Sequence, residues 1–157
     1  MRDHAVFDPE IETRSTSEQF ELDRKRYLAQ IQYLFSHSAF YRAKLTAAGF
    51  DTPEKVGDLS DIGALPFTEK DEIRETQANH GPFGAHLSAD PSDLRRVFST
   101  SSTTGIPCYL GLIESDLKMY ATNVAGGYTA GGFKRGRRLA VGFNARTFLS
   151  GAVYSGF

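Results

Sequence analysis

Tryptophan is absent, cysteine occurs once and methionine twice in the 157 residues. The single cysteine, Cys108, excludes an intrachain disulfide and points to a reducing, cytoplasmic compartment. No apolar run reaches the 18 residues that would read as a membrane span. Met1–Asp8 contains no apolar core of the kind a secretory signal needs. A formal net charge of −1 gives no general affinity for nucleic acid or for an anionic membrane. His4, His37, His80 and His86 have neither zinc-like spacing nor cysteine partners, so no metal site is expected. The G-x-x-x-x-G-K-[ST] pattern of a Walker loop does not occur.

What is present is the material of a globular α/β protein. The chain is 40% hydrophobic and 24% charged, with twelve Phe and seven Tyr, enough for a packed core. Charge is divided along it. Residues 1–94 hold 10 Lys/Arg against 17 Asp/Glu, a net −7, and residues 95–157 hold 8 against 2, a net +6. Either two solvated faces differ in sign, or the second half faces an anionic ligand.

Residues 1–15 read as a flexible arm, and 16–94 as a helical segment. Ser15-Thr-Ser-Glu18 forms a capping box, followed by Phe20, Tyr27, Leu28, Ile31, Leu34 and Phe35 at helical spacing. This predicts a helix over 16–36 with one buried stripe. A second helix is predicted over 38–48, with Phe40, Tyr41 and Leu45 inward and Gly49 at its left-handed end. Two short turns follow around Pro53 and Ser60. Leu65 is extended before Pro66, and a third helix starts from a capping box at Thr68 and runs to about Gln77. Residues 79–93 read as a loop.

Residues 95–157 read as the start of an α/β sheet. Strands over 95–99 and 107–113 flank a polar run. A helix over 116–130, capped by Ser115, carries Leu117, Tyr120, Ala121, Val124 and Tyr128 on one face. Gly131-Gly132 ends it, and Leu139–Phe143 reads as the strand that completes a crossover unit. Two or three strands are too few to cover these helices, so the expectation is the N-terminal portion of a larger fold.

The polar run lies in Phe98–Gly111, "FSTSSTTGIPCYLG", with six consecutive hydroxyl residues, Ser99 to Thr104, before Gly105 and Pro107. Small residues let an anion approach backbone amides, hydroxyls add donors that rotate, and Gly105 can take positive φ. The run therefore fits a phosphate cradle, while a solvated hairpin turn is the plainer reading of its composition.

The run resembles the Ser/Thr/Gly phosphate loop of the adenylate-forming (AMP-binding) enzymes, whose usual form is S-S-G-T-T-G-K-P. "FYRAKLTAAGF" (Phe40–Phe50), "LPFTEKDEIRE" (Leu65–Glu75), "PFG" (Pro82–Gly84), "ESDLKMYA" (Glu114–Ala121) and "GGFKRGRRLAV" (Gly131–Val141) are similar, in order, to the phenylacetate–coenzyme A ligase branch. The resemblance implies the incomplete, N-terminal part of a large α/β domain, with an AMP-binding subdomain beginning at residue 95. It implies ATP, magnesium and coenzyme A, an acyl-adenylate intermediate, and a small carboxylic acid substrate of aromatic type. By position, Thr100, Ser101, Ser102, Thr103, Thr104 and Gly105 match the phosphate loop. Phe143 and Phe148 match the stretch that lines the acid pocket. Two positions depart, Ser102 where the family has glycine and Ile106 where it has lysine. The adenine-contacting motif, the ribose-binding aspartate and the adenylating lysine of the family lie beyond the matched region. This chain alone is therefore expected to be inactive, and a homo-oligomer or a complementing C-terminal chain is implied. A non-catalytic remnant of the scaffold, and a relative with another acyl acceptor, stand as alternatives.

Overall fold

The computed structural model describes residues 6–100, 107–134, 136–138 and 140. The chain divides into two compact units, Ser15–Ser92 and a second made of Met1–Arg14 with Asp93–Phe157.

The first unit is helical. Helix α2 (Thr16–His37) starts where the Ser15 hydroxyl accepts from the Glu18 N–H at 3.3 Å and the Glu18 carboxylate accepts from the Ser15 N–H at 2.9 Å. It passes into α3 (Ala39–Ala47) through one residue. Ser38 closes α2 with its N–H on the Leu34 carbonyl, and caps α3 by accepting from the Tyr41 N–H at 3.2 Å. It is 1% exposed, so both bonds sit away from water. Helix α3 ends in a Schellman motif. Gly49, at φ +93°, donates to the Thr46 carbonyl, and Phe50 donates to the Leu45 carbonyl.

Ile31, Phe35, Leu45 and Val56 form the core of this unit, with Tyr27, Phe50 and Leu65 packed against it. Of the stripe expected on α2, Phe20 and Leu28 are instead exposed, because the partners on α2 are the short α3 and two 3₁₀ turns, which cover only part of its length. Those turns are Pro53–Val56 and Leu59–Ala64. Gly57 between them holds φ +81°. A Cβ there would fall 2.6 Å from the Asp61 carboxylate, which accepts from the Asp58 N–H at 2.8 Å. The third helix expected, α4 (Lys70–His80), begins one residue after Glu69 rather than at Thr68. The carboxylate of Glu72 reaches the Glu69 N–H at 2.6 Å, and with a glutamate at each of those positions the box shifts by one. The Tyr33 hydroxyl donates to the Ser88 carbonyl and ties the loop after α4 to α2.

In the second unit the N-terminal arm contains a short helix, α1 (Pro9–Glu12), capped by Asp8. The Glu12 carboxylate accepts from the Phe7 and Asp8 N–H groups, both at 2.9 Å. Strands β1 (Arg96–Ser99) and β2 (Tyr109–Leu112) pair antiparallel, Arg96 opposite Leu112 and Ser99 opposite Tyr109. Helix α5 (Glu114–Ala130) follows at once. Its cap is Ile113, whose N–H donates to Asp116 at 3.0 Å, not Ser115, which lies inside the helix. Leu117, Tyr120, Ala121, Val124 and Tyr128 are only half-buried, so the apolar face of α5 lacks a full partner among the described residues. The strand expected over 139–143 falls almost wholly outside the described residues.

Two outcomes follow from the helical unit. Ser38→Ala removes a cap and the acceptor for the Tyr41 N–H, and costs about 1–2 kcal/mol in urea unfolding. Second, Arg24 bonded to Asp58 and Lys44 bonded to Glu72 hold both carboxyls below the ordinary carboxylate range, hydrogen bonding being the larger cause. A lowered folded pKa stabilises above the unfolded value of about 4, and that stability is lost as pH falls through the folded value. Asp58→Asn with Glu72→Gln therefore flattens the decline of the urea midpoint below about pH 4, measured against the parent chain.

Candidate functional site

The hydroxyl run begins inside the hairpin. Ser99 is the last residue of β1 and is 7% exposed, beside Phe98 at 3% and Cys108 at 3%. One step beyond the last strand pair, the Thr100 N–H donates to the Cys108 carbonyl at 2.9 Å. The Cys108 N–H donates to the Thr100 Oγ1 at 3.2 Å. These bonds close the mouth of the loop that joins the strands, with Pro107 on the return side. Two of the six hydroxyl residues thus belong to the hairpin, Ser99 by burial and Thr100 by bonding. The other calls of the phosphate loop, Ser101, Ser102, Thr103, Thr104 and Gly105, lie outside the described residues, as do Phe143 and Phe148.

The surroundings define what could face an anion. Arg96 sits opposite Leu112, at the end of the hairpin away from the loop, four residues and about 13 Å from Thr100. The N-terminus of α5 is not an open anion site. Glu114 and Asp116 occupy its first turn, and Asp116 already accepts from the Ile113 N–H. A cleft of about 350 Å³ is lined by Phe7, Ile11, Thr122, Asn123 and Gly126, among others, and shares no residue with the mouth of the loop. Its Glu12 carboxylate already serves two backbone amides.

Of the histidines singled out, His37 stacks on Tyr33 with ring centroids 4.3 Å apart, and His86 Nδ1 lies 3.0 Å from the Thr76 Oγ1. Both contacts are structural. Among the described residues no group of three His, Cys, Asp or Glu side chains is placed to hold a metal ion. No helix among them is long and apolar enough to cross a membrane. The sequence pattern did not distinguish Thr100 from its neighbours. The signal lies in the antiparallel register, which pairs 100 with 108 and becomes visible only once the strands are aligned.

No family model matches the chain. It is 33% identical over 147 residues to a phenylacetate-coenzyme A ligase of Thermus thermophilus, a match covering 93% of this chain and 32% of that protein. It is 28% identical over 151 residues to the protein of the same name from Escherichia coli K12, covering 96% and 33%. Among solved structures, a 2-hydroxyisobutyryl-CoA ligase in the postadenylation state with 2-HIB-AMP superposes with a TM-score of 0.76 at 30% identity, over 87% of this chain and 28% of that one. The same ligase in the thioesterification state, with 2-HIB-AMP and CoA, gives 0.73 at 32% identity, over 82% and 27%. The chain spans about a third of the length of the curated relatives it matches.

Burial assigns Cys108 to packing rather than to chemistry, since an exposed thiolate is what reacts. In the native chain its reaction with Ellman's reagent is expected to be at least about tenfold slower than in urea. A rate unchanged by urea would contradict the burial.

Proposed function

We propose that this chain, a relative of the adenylate-forming coenzyme A ligases, supplies the phosphate loop and part of the acid pocket of an ATP-dependent, AMP-forming acid–coenzyme A ligase. What supports the reading is a hairpin closed between Thr100 and Cys108, with the Ser/Thr/Gly run falling between those two residues in sequence, in a chain similar to such ligases along nearly its whole length.

In the proposed reaction a carboxylate oxygen attacks the α-phosphorus of ATP. The bond to the bridging oxygen breaks and pyrophosphate leaves, giving an acyl-adenylate. The thiol of coenzyme A then attacks the acyl carbon, loses its proton and expels AMP. Within this scheme Thr100, Ser101, Ser102, Thr103, Thr104 and Gly105 surround the β- and γ-phosphates, and their donors offset the charge that grows on the leaving group. Magnesium would accompany the nucleotide, offsetting charge on its phosphates. Phe143 and Phe148 wall the pocket for the acid. The relatives are named for phenylacetate and for 2-hydroxyisobutyrate, and those two phenylalanines favour an aryl acid. Residues 16–94 form the helical segment and 95–157 the opening of the nucleotide-binding subdomain. The remaining catalytic groups come from further sequence or from a complementing chain, and the setting is cytoplasmic.

A second reading rests on Ser102 and Ile106, which replace the glycine and the lysine of the family pattern. Serine restricts positive φ, and isoleucine removes a cation, so this loop fits a scaffold that has lost ATP. A relative that passes the acyl group to another acceptor shares the first half-reaction.

A protein extending this chain to the length of its relatives is expected to catalyse ATP–pyrophosphate exchange that depends on added phenylacetate. Exchange absent for a panel of aryl and alkyl acids would overturn the ligase reading. Ser102→Gly with Ile106→Lys is expected to leave ATP affinity within about threefold of the parent. A gain of about a hundredfold or more, from a parent that scarcely binds, would favour the remnant.

A further inference from the structure

We propose that the loop after α4 is held by a clasp that works in one tautomer of His86 only, the neutral ring carrying its proton on Nδ1 and donating it to Thr76. The clasp lies wholly within the helical unit and stands independently of the ligase reading.

Proton count selects the tautomer. Thr76 lies in α4, and its Oγ1 donates to the Ile73 carbonyl, three residues back, at 2.9 Å. The same oxygen is 3.0 Å from His86 Nδ1. Both are hydrogen-bond separations, and a hydroxyl has one proton to give. If that proton went to Nδ1, the hydroxyl and carbonyl oxygens would face each other at 2.9 Å with no proton between them. If it goes to the carbonyl, as threonine hydroxyls within helices commonly do, an oxygen lone pair is left toward the ring. Nδ1 is then the donor. This arrangement makes two bonds, whereas the other makes one and sets two lone pairs against each other.

The backbone is built around that bond. Gly81 and Gly84 take φ +84° and +65°, and the Gly84 N–H donates to the Gly81 carbonyl at 2.9 Å, so the chain reverses directly after α4. The reversal lays Gly84 against the clasp. A Cβ at Gly84 would overlap Thr76 Oγ1 and fall 2.7 Å from His86 Nδ1. Glycine alone meets both the positive φ and the close approach. Two residues beyond His86, the Ser88 carbonyl accepts from the Tyr33 hydroxyl. The loop is thus pinned to α4 through an imidazole and to α2 through a carbonyl. An amide nitrogen on asparagine can occupy the place of Nδ1 as a donor. An ionised aspartate there has acceptors only.

The test is long-range ¹H–¹⁵N correlation of the ring nitrogens in the ¹⁵N-labelled 157-residue chain, at a pH above the titration of the ring. His86 Nδ1 is expected at the shift of a protonated ring nitrogen and Nε2 at that of a bare one, with at least about a fivefold excess over the reverse tautomer. The reverse assignment, or an even mixture, overturns the proposal on the parent chain alone, and so covers any variant that fails to fold. Thr76→Val keeps the shape and removes the acceptor, and the excess should fall to about twofold or less. An unchanged excess overturns the role of Thr76. Chymotrypsin cleavage after Phe83, followed by mass spectrometry, reads the hold on the loop. His86→Asn should stay within about twofold of the parent rate, and His86→Asp should be cleaved at least about fivefold faster. Equal rates in the two folded variants overturn the clasp even where the tautomer is as expected.

Discussion

The bonds between Thr100 and Cys108 are the constraint that closes the hairpin at the point where its two strands part. A polar loop has no fixed shape of its own. Its hydroxyls and amides satisfy themselves with water in many conformations, and each ordered residue costs roughly 1–2 kcal/mol of backbone entropy. A loop that is to hold phosphate oxygens therefore needs rigid ends. Here the ends are Thr100 and the buried Cys108, next to the buried Phe98 and Ser99. Packing holds the strands, and the strands hold the mouth.

The helical unit is built on a different economy. Its core is small, with Ile31, Phe35, Leu45 and Val56 at the centre, so the polar ends of its helices contribute much of its definition. Ser38 ends one helix and begins the next while almost wholly buried. The Schellman motif at Gly49 turns Phe50 back onto the core beside Leu45. Two ion pairs, Arg24 with Asp58 and Lys44 with Glu72, link helices to segments 34 and 28 residues away. Such pairs are partly solvated and add little individually, but they make the unit sensitive to acid.

Several large apolar side chains remain exposed, Phe67 at 88% and Met119 at 61% among them, and α5 has no fully buried residue. This accords with a chain that matches only about a third of the length of its relatives. In the relatives the remaining two thirds are also present. Among the described residues the α/β character of the second unit is carried by one hairpin and α5.

Local chemistry made the helices legible. Ser15 with Glu18, Gly49, Pro53, Pro66 and Gly131-Gly132 each act within four or five residues, and each stands at or within a residue or two of the boundary it predicts. The boxes at Glu69 and Ile113 were displaced by one and two residues, because neighbouring residues compete for the same amides. The hydroxyl run was legible as a cradle or a turn, and its sequence neighbours carried the resemblance to a ligase. What the chain alone did not determine is which residues meet across space. Phe20 and Leu28 share the periodicity of Ile31 and Phe35, yet only the latter pair find partners. Arg96 and Thr100 are four residues apart in sequence and lie at opposite ends of the hairpin. Within six consecutive hydroxyl residues the chain alone marks neither Ser99 as buried nor Thr100 as the one that bonds Cys108; the register of two strands does. Propensity and capping are short-range and can be read from the chain. Burial and register belong to pairs of distant segments, and exist only when those segments are in contact.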